Sequence, residues 1–439
     1  MSYVMSPSGS VFNKLSALKH GKPSYQEIVP LNLSIRGKPL CFLNWFLGTR
    51  FAEWTQLQKA FVGLLGIPKF RLARIDEQAT YYPIYVNQSE VIEATETIDN
   101  AGILTQQSKD ITTKTNFRYM TCSDYIHVYQ SGEATPVSMA KTIIKNIKLL
   151  NLSLNGICDW NEQSIIQQAT ASAERWKNGT QLSPLDGIPI VVKDHLPVKG
   201  LITRNGCERD IEPDEENCVV VQRVLDAGII IIGISSMTQR GCSAIGYNPS
   251  KFHGTVRNAV NPQYYPGGSS SGTAAAVASG LVPFGIGTDG GGSIRIPGSF
   301  SGLVGIKPTT GRCPIMDTGL NGTLVVTGPL AGSVLDATLL YNIMSGPNRL
   351  DPYSMYQTNL SLNNTLLNPI TGKTIGVDWT WAKQSDPEVY QNFVNSIEVL
   401  QSKGCTIQSI SIPEIDLGML IMCDTLTKAI VCLKLTQRI

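Results

Sequence analysis

The sequence contains few of the residues on which metal and phosphate chemistry depends. Only four histidines occur among its 439 residues, and none belongs to an H-E-x-x-H motif or lies with a C-x-x-C pair. Zinc sites in proteins usually have such spacings. No glycine run is followed by the lysine of a P-loop. We therefore expect neither a metal nor any other cofactor.

Charge of one sign is scarce as well. The chain has 36 lysines and arginines against 34 aspartates and glutamates, a net charge of +2, without a long basic run. Nucleic-acid binding depends on clustered basic charge, so we expect no such partner. No apolar stretch reaches the roughly 18 residues of a membrane span, and the N-terminus lacks the pattern of a secretory signal. The oligomeric state stays open.

Cysteines are present but without the spacing of a disulfide framework. Ten of them are scattered along the chain, as is typical of reduced thiols in the cytoplasm. Hydrophobic residues make up 42% of the chain and charged residues 16%, enough for a globular protein with a large core. We therefore predict a cytoplasmic protein.

Two glycine-serine clusters lie near the middle of the chain. They read Pro266-Gly-Gly-Ser-Ser-Ser-Gly272 and Gly287-Thr-Asp-Gly-Gly-Gly-Ser-Ile-Arg295. Glycine lets backbone N–H groups approach a substrate closely, and serine supplies a nucleophile. Upstream, the apolar run Gly187-Ile-Pro-Ile-Val-Val-Lys-Asp194 carries Lys193 near its end. Burial at the tip of a strand lowers the pKa of a lysine amine, so the three segments together indicate an acyl-transfer site.

The stretch from Lys193 to Pro308 resembles the amidase signature family of serine hydrolases, whose three motifs occur here in the family's order. The resemblance implies a Ser–cis-Ser–Lys triad. On this sequence the nucleophile is Ser293, the bridging serine with a cis peptide is Ser269, and the base is Lys193. It also implies an oxyanion hole formed by the N–H groups of Gly290, Gly291, Gly292 and Ser293.

The chemistry of such a triad is coherent. A serine hydroxyl needs an adjacent base, and a lysine is a base only when it is neutral. Lys193 would take a proton from Ser269, which takes one from Ser293 as Ser293 attacks an amide carbonyl. The relay then runs in reverse to protonate the leaving amine, and water hydrolyses the acyl-enzyme. We expect Asp289 to pair with Arg295 and brace the loop, and Asp194 and His195 to cap a turn.

Two motifs of other families fail on their sequence context. Gly268–Gly272 matches G-x-S-x-G, but a turn-like segment precedes it where a nucleophile elbow needs a strand. Gly285–Gly290 matches G-x-G-x-x-G, but Pro297 follows where a dinucleotide site needs a helix. Neither motif predicts a function here.

The pattern divides the chain into two parts. Residues 1–115 are predicted to be an N-terminal extension of unknown role, with a possible helix near 51–65 and a strand-like segment at 80–86. Residues 116–439 are predicted to form an α/β amidase signature domain, with a mixed β-sheet core covered by helices on both faces. Its predicted helices cover 136–150, 161–177, 219–227 and 273–279, and its predicted strands 188–193 and 229–232.

The C-terminal part is shorter than the family's pattern. A strand–helix–strand unit is predicted at Thr374–Asp378, Pro387–Leu400 and Cys405–Ile410. Family members normally continue well beyond this point, so the resemblance predicts a domain that is incomplete at its C-terminus.

Three functions follow from these observations. The first is a serine amidase that hydrolyses a small or lipophilic carboxamide. The second is the amidase subunit of a glutamine-dependent amidotransferase, which needs a partner. The third is an inactive truncated paralogue.

Overall fold

The computed structural model describes residues 119–208, 211–250, 252–318, 320, 324–349, 351–357 and 369–412. Those up to Pro369 belong to one compact unit and those from Ile370 to another. The predicted extension 1–115, with its helix near 51–65 and its strand at 80–86, lies outside the described residues.

A mixed sheet of six strands lies at the centre of the described part of the larger unit. Its strands, in chain order, are β1 (Ile157–Asp159), β2 (Pro189–Lys193), β3 (Ile230–Ser235), β4 (Phe284–Asp289), β5 (Val304–Gly305) and β6 (Val326–Ala331). Their spatial order is β1-β3-β2-β4-β6-β5. β2 runs parallel to both β3 and β4, and the other pairs are antiparallel. The carboxyl ends of β2 and β4 therefore meet at one edge.

The described helices of this unit are α1 (Cys122–Ser131), α2 (Pro136–Ser153), α3 (Glu162–Asn178), α4 (Val219–Asp226), α5 (Ser271–Ala278), α6 (Arg295–Phe300) and α7 (Val334–Met344). Side-chain caps mark the start of four of these seven, α1, α2, α3 and α7. Thr135 and Ser138 form a capping box ahead of α2, and Asn161 accepts from the Ser164 amide to cap α3. Across the described residues, no helix has both the length and the apolar character to cross a bilayer.

Helices cover the sheet on both faces, as predicted. Ile190 and Val192 of β2 belong to a hydrophobic cluster with residues of α1, α4 and α7. Val191, between them, belongs to a second cluster with residues of α2, α3 and α5. Successive side chains of a strand point to opposite faces, so the continuous apolar run of β2 serves two cores at once.

Part of the second glycine-serine cluster lies on a strand and not in a loop. Residues 287–289 of the cluster are within β4, as is Gly285, which precedes the cluster. A Cβ on Gly285 would lie 2.6 Å from Thr273 Cγ2, and one on Gly287 would lie 2.9 Å from Ser270 Oγ. The two glycines thus let the start of α5 pack directly against β4.

Pro297 lies in the first turn of α6, where proline is tolerated. This helix begins at Arg295 and not at Gly290, so no helix opens at the last glycine of the G-x-G-x-x-G match.

The described part of the second unit is the predicted strand–helix–strand motif. It comprises β7 (Thr374–Val377), α8 (Trp379–Ala382), α9 (Pro387–Ser402) and β8 (Thr406–Ser409). β7 and β8 pair in parallel, so the helical connection between them forms a crossover.

Candidate active site

Lys193 ends β2 with its amine inside the protein. Its Nζ lies 2.8 Å from Ser269 Oγ, 2.7 Å from Thr288 Oγ1 and 3.2 Å from the Thr288 carbonyl oxygen. The side chain of Lys193 is fully buried, and Ser269 and Thr288 are buried as well. The structure therefore brings two of the three predicted triad residues into direct contact.

The environment of the amine keeps a large fraction of it neutral. Burial lowers the pKa of Lys193 from its usual 10.5 to about 7, against the opposing effect of the Asp289 and Asp194 carboxylates. The neutral form of the amine is therefore accessible near neutral pH. Such an amine can accept the hydroxyl hydrogen of Ser269.

Ser269 has the backbone geometry that the family resemblance implies. The peptide bond between Gly268 and Ser269 is cis. The Gly268 amide donates to the carbonyl of Ala244 at 2.7 Å, and the Thr238 amide donates to the carbonyl of Ser269 at 3.3 Å. The bridging serine is thus held on both sides by the segment that follows β3.

Ser293 lies nearby, but its hydroxyl does not reach Ser269. The residue is half-buried, and its carbonyl accepts a hydrogen bond from the Ser270 amide at 3.2 Å. Within the described residues, the Ser293 hydroxyl makes no hydrogen bond. Catalytic hydrogen bonds are often long or poorly aligned before a substrate binds. The structure therefore places the predicted nucleophile beside the relay without closing its last link.

Asp289 holds the loop that carries Ser293. Its buried carboxylate accepts from the amides of Gly292 at 2.7 Å and Ile294 at 3.1 Å. The Arg295 guanidinium adds two bonds of 3.0 Å, which confirms the predicted pair. Burial by itself raises the pKa of Asp289, but these bonds outweigh it and lower the pKa below its usual value. The loop is tight, because Gly292 has a φ of +120° and a Cβ there would lie 2.6 Å from Ile296.

The bond to Asp289 changes the predicted oxyanion hole. The family resemblance implied four donors, one of them the Gly292 amide, but this N–H is already donated to the carboxylate. The N–H groups of Gly290, Gly291 and Ser293 donate to no described residue. Of the four predicted donors, these three are not engaged by another described residue.

Sequence reasoning missed Thr288 and the contact that His195 makes. His195 Nδ1 lies 2.9 Å from Thr288 Oγ1, so the residue reaches across to β4. Asp194 bonds not to the next turn but to the amides of Arg204 at 2.6 Å and Gly206 at 2.7 Å. Thr288 lies beside Lys193 because β2 and β4 pair in parallel. No pattern in the local sequence of either strand predicts that pairing.

One group among the described residues could offer three ligand atoms to a metal. Atoms of Cys158, Asp194 and His253 lie within 4.8 Å of one another. Both oxygens of Asp194 accept amides, however, and His253 Nε2 lies 3.1 Å from the carbonyl of Cys207. Burial lowers the pKa of His253, which disfavours a positive charge on the ring 3.7 Å from Asp194. These hydrogen bonds are sufficient to explain why Asp194 and His253 lie close together.

The sequence of this chain matches a family profile and several known proteins. A profile of the amidase family matches residues 138–436, more than half of the sequence. The chain belongs to the amidase family. A fatty acid amide hydrolase of Oryza sativa subsp. indica is 35% identical over 320 residues, which are 69% of this chain and 52% of that protein. One subunit of the glutamyl-tRNA(Gln) amidotransferase of Chloroflexus aggregans is 32% identical over 308 residues, which are 68% of this chain and 62% of that subunit.

Solved structures of amidases have the same fold. A crystal structure of an amidase superimposes with a TM-score of 0.56 at 30% identity, covering 67% of this chain and 64% of that one. The peptide amidase of Stenotrophomonas maltophilia gives a TM-score of 0.60 at 24% identity, over 69% and 64%. This confirms the predicted amidase signature fold. The chain spans about half the length of the plant relatives it matches.

Proposed function

We propose that the protein hydrolyses the C–N bond of a carboxamide through an acyl-enzyme on Ser293. The observation that carries the proposal is the buried amine of Lys193, bonded to the Ser269 hydroxyl at 2.8 Å. A lysine without solvent and with a pKa near 7 is suited to act as a base at neutral pH. The arrangement matches the roles that membership of the family suggests for these residues.

The proposed reaction has two halves. Ser293 Oγ bonds to the carbonyl carbon while its proton passes to Ser269 and the Ser269 proton passes to Lys193. The C–N bond then breaks, and the relay returns the proton to the leaving amine. Water adds to the acyl-enzyme by the same relay and releases the carboxylic acid, which restores Ser293. The N–H groups of Gly290, Gly291 and Ser293 stabilise the oxyanion in each half, and each such donor typically contributes about 2.7–4 kcal/mol.

The substrate is proposed to be a carboxamide with a small or lipophilic acyl group. The plant relatives are fatty acid amide hydrolases. The segment leading to Ser269 also exposes apolar side chains: Ile245, Phe252, Val260 and Tyr264 are between 50% and 75% exposed. Exposed apolar side chains on the segment that leads to Ser269 favour a substrate of that kind. The cytoplasmic location stays a prediction, supported by the seven free cysteines of the described residues.

A second candidate is the amidase subunit of a glutamine-dependent amidotransferase. The 32% identity to one subunit of a glutamyl-tRNA(Gln) amidotransferase favours it. The same relay would then release ammonia from glutamine for use by a partner. Glutamine hydrolysis that occurs only when partner subunits are added would support this function over the first.

Labelling with a fluorophosphonate tests the proposed nucleophile without knowledge of the substrate. Ser293 should form an O–P bond with loss of fluoride, and peptide mass spectrometry should find the adduct on Ser293. The Ser293→Ala variant should lose the label. Ser279→Ala, at the far end of α5, is the matched control and should keep it. Labelling that persists in Ser293→Ala would contradict the proposal, and a folded wild-type protein that takes no label would favour the inactive paralogue.

A further inference from the structure

The hydroxyl of Thr288 lies between two buried nitrogen atoms. Lys193 Nζ is 2.7 Å and His195 Nδ1 is 2.9 Å from Thr288 Oγ1. Thr288 is 1% exposed, Lys193 0% and His195 7%. No other described residue bonds the Thr288 hydroxyl, and the reaction proposed above does not use His195. What the imidazole does at this position follows from counting hydrogens.

A neutral lysine amine has two hydrogens and one lone pair. Nζ of Lys193 has three partners, namely the Ser269 hydroxyl, the Thr288 hydroxyl and the Thr288 carbonyl. The carbonyl can only accept, so it takes one N–H. If the lone pair is to accept from Ser269, the second N–H must go to Thr288 Oγ1. The hydrogen of the Thr288 hydroxyl is then left for His195 Nδ1, which must be an acceptor.

A proton on Nδ1 of His195 reverses the direction of the hydrogen bond between His195 and Thr288. Thr288 Oγ1 would accept from His195, and its own hydrogen would have two possibilities. It could turn to Lys193 and occupy the lone pair that Ser269 needs. Otherwise it would stay buried without an acceptor, which is unfavourable. Either outcome weakens Lys193 as a base.

We propose that His195 is a positioning residue for the base, whose Nδ1 accepts the Thr288 hydroxyl hydrogen and so turns the Lys193 lone pair towards Ser269. The inference rests on the proposed acyl-enzyme function. It assigns the proton of the neutral ring to Nε2.

The surroundings of His195 keep the ring neutral and close to the relay. Burial, with the positive charge of Lys193 beside it, lowers the pKa of His195 well below its usual value. The carboxylates of Asp194 and Asp289 act on Lys193. The turn at Gln239–Gly241 covers the site: a Cβ on Gly241 would lie 3.3 Å from His195 Cε1 and 3.4 Å from Ser269 Oγ. Arg240 is the charged residue of that turn.

The test uses two substitutions that differ in one acceptor. His195→Leu keeps an apolar volume but accepts no hydrogen bond, whereas the Oδ1 of His195→Asn can replace Nδ1. The readout is the second-order rate constant for fluorophosphonate labelling of Ser293, measured across neutral pH. We expect the rate at its high-pH plateau to fall about tenfold in His195→Leu. His195→Asn should recover most of it, and the exposed His127→Leu should match the wild type.

A double-mutant cycle separates this role from a structural one. In a Thr288→Val background, which lacks the hydroxyl, His195→Leu should cause no further loss. Additive losses, or a wild-type rate in His195→Leu, would overturn the inference. Thermal melts show which variants are folded, and His195→Ala replaces His195→Leu if that variant does not fold. Because Ser293→Ala tests the nucleophile by itself, a failure of the inference is distinguishable from a failure of the proposed function.

Discussion

A buried aspartate lies at the carboxyl end of each of the neighbouring strands β2 and β4, and the pKa values of the two aspartates are shifted in opposite directions. Asp194 follows β2 and accepts the amides of Arg204 and Gly206. Asp289 ends β4 and accepts amides together with the Arg295 guanidinium. Burial raises the pKa of Asp194 to about 7, because the amides that lower it do not compensate. The pKa of Asp289 lies below its usual value.

The difference follows the hydrogen-bond partners: the Arg295 guanidinium bonds Asp289, whereas Asp194 is bonded by backbone amides, which do not offset the effect of its burial. Asp289 is a fixed negative charge at the base of the loop that carries Ser293. Burial raises the pKa of Asp194 and lowers that of its neighbour Lys193, each to about 7. The β4 end therefore carries a carboxylate bonded to a cation and to loop amides, whereas the β2 end carries two groups whose pKa values burial brings close together.

Removing the lysine between the two strand ends should have the largest effect. Lys193→Met keeps the approximate length of the side chain but deletes the base, so the rate of Ser293 labelling should fall by about 10²–10⁴. In the wild type the rate should rise with pH and level off above a midpoint near 7, because only the unprotonated amine accepts from Ser269. The pH dependence should vanish in the variant.

The matched control for this prediction is Lys199→Met, at an exposed position of the loop after β2. It should keep both the wild-type rate and the midpoint. A wild-type rate in a folded Lys193→Met variant would remove the lysine from the mechanism.

Breaking the β4 support should come next. Asp289→Asn removes the charge that Arg295 pairs with and one of the oxygens that accept the loop amides. Breaking a buried pair costs about 3–5 kcal/mol, but Arg295 is 53% exposed, so we expect about 2–3 kcal/mol after allowance for solvent screening. Chemical denaturation measures the loss. Asp226→Asn, on the exposed surface of α4, is the matched control and should change stability by less than about 0.5 kcal/mol; equal stabilities of the two variants would contradict the support role.

The local parts of this fold and site are readable from the sequence. Thr135 followed by Pro136 predicts the start of α2, since both residue types favour the beginning of a helix. The continuous apolar run before Lys193 predicts a buried strand with an amine at its tip. The triad itself came from the family resemblance, which supplied the pairing of distant segments.

The non-local parts could not be read in this way. Thr288 meets Lys193 because β2 and β4 pair in parallel, and the intervening residues carry no signal for that choice. The sequence around Gly285 and Gly287 resembles that of a loop, because glycine is depleted from strands. Only the close approach of α5 explains them. From the sequence, Asp194 resembles a residue that caps the turn after the strand. One of its actual partners, the Gly206 amide, is twelve residues away and comes close only in the folded chain.

The change that alters the protein least at any single pH is a difference in the pH dependence of stability between the two aspartates. The folded-state pKa of Asp194 is raised above its usual 3.8 to about 7, so the unfolded chain loses this proton first and stability falls as pH rises from about 4 to about 7. For Asp289 the pH dependence of stability has the opposite sign: its lowered pKa contributes stability that is present above about pH 4 and lost as the pH falls below that value.

Asp194→Asn should remove a slope of at most about 1.4 kcal/mol per pH unit from the range between about pH 4 and 7. Denaturant midpoints measured at several pH values show this slope directly, with Asp226→Asn as the control that keeps it. If Asp194→Asn leaves the slope between pH 4 and 7 unchanged, the Asp194 carboxylate is charged in the folded protein, and the contrast between the two strand ends is wrong.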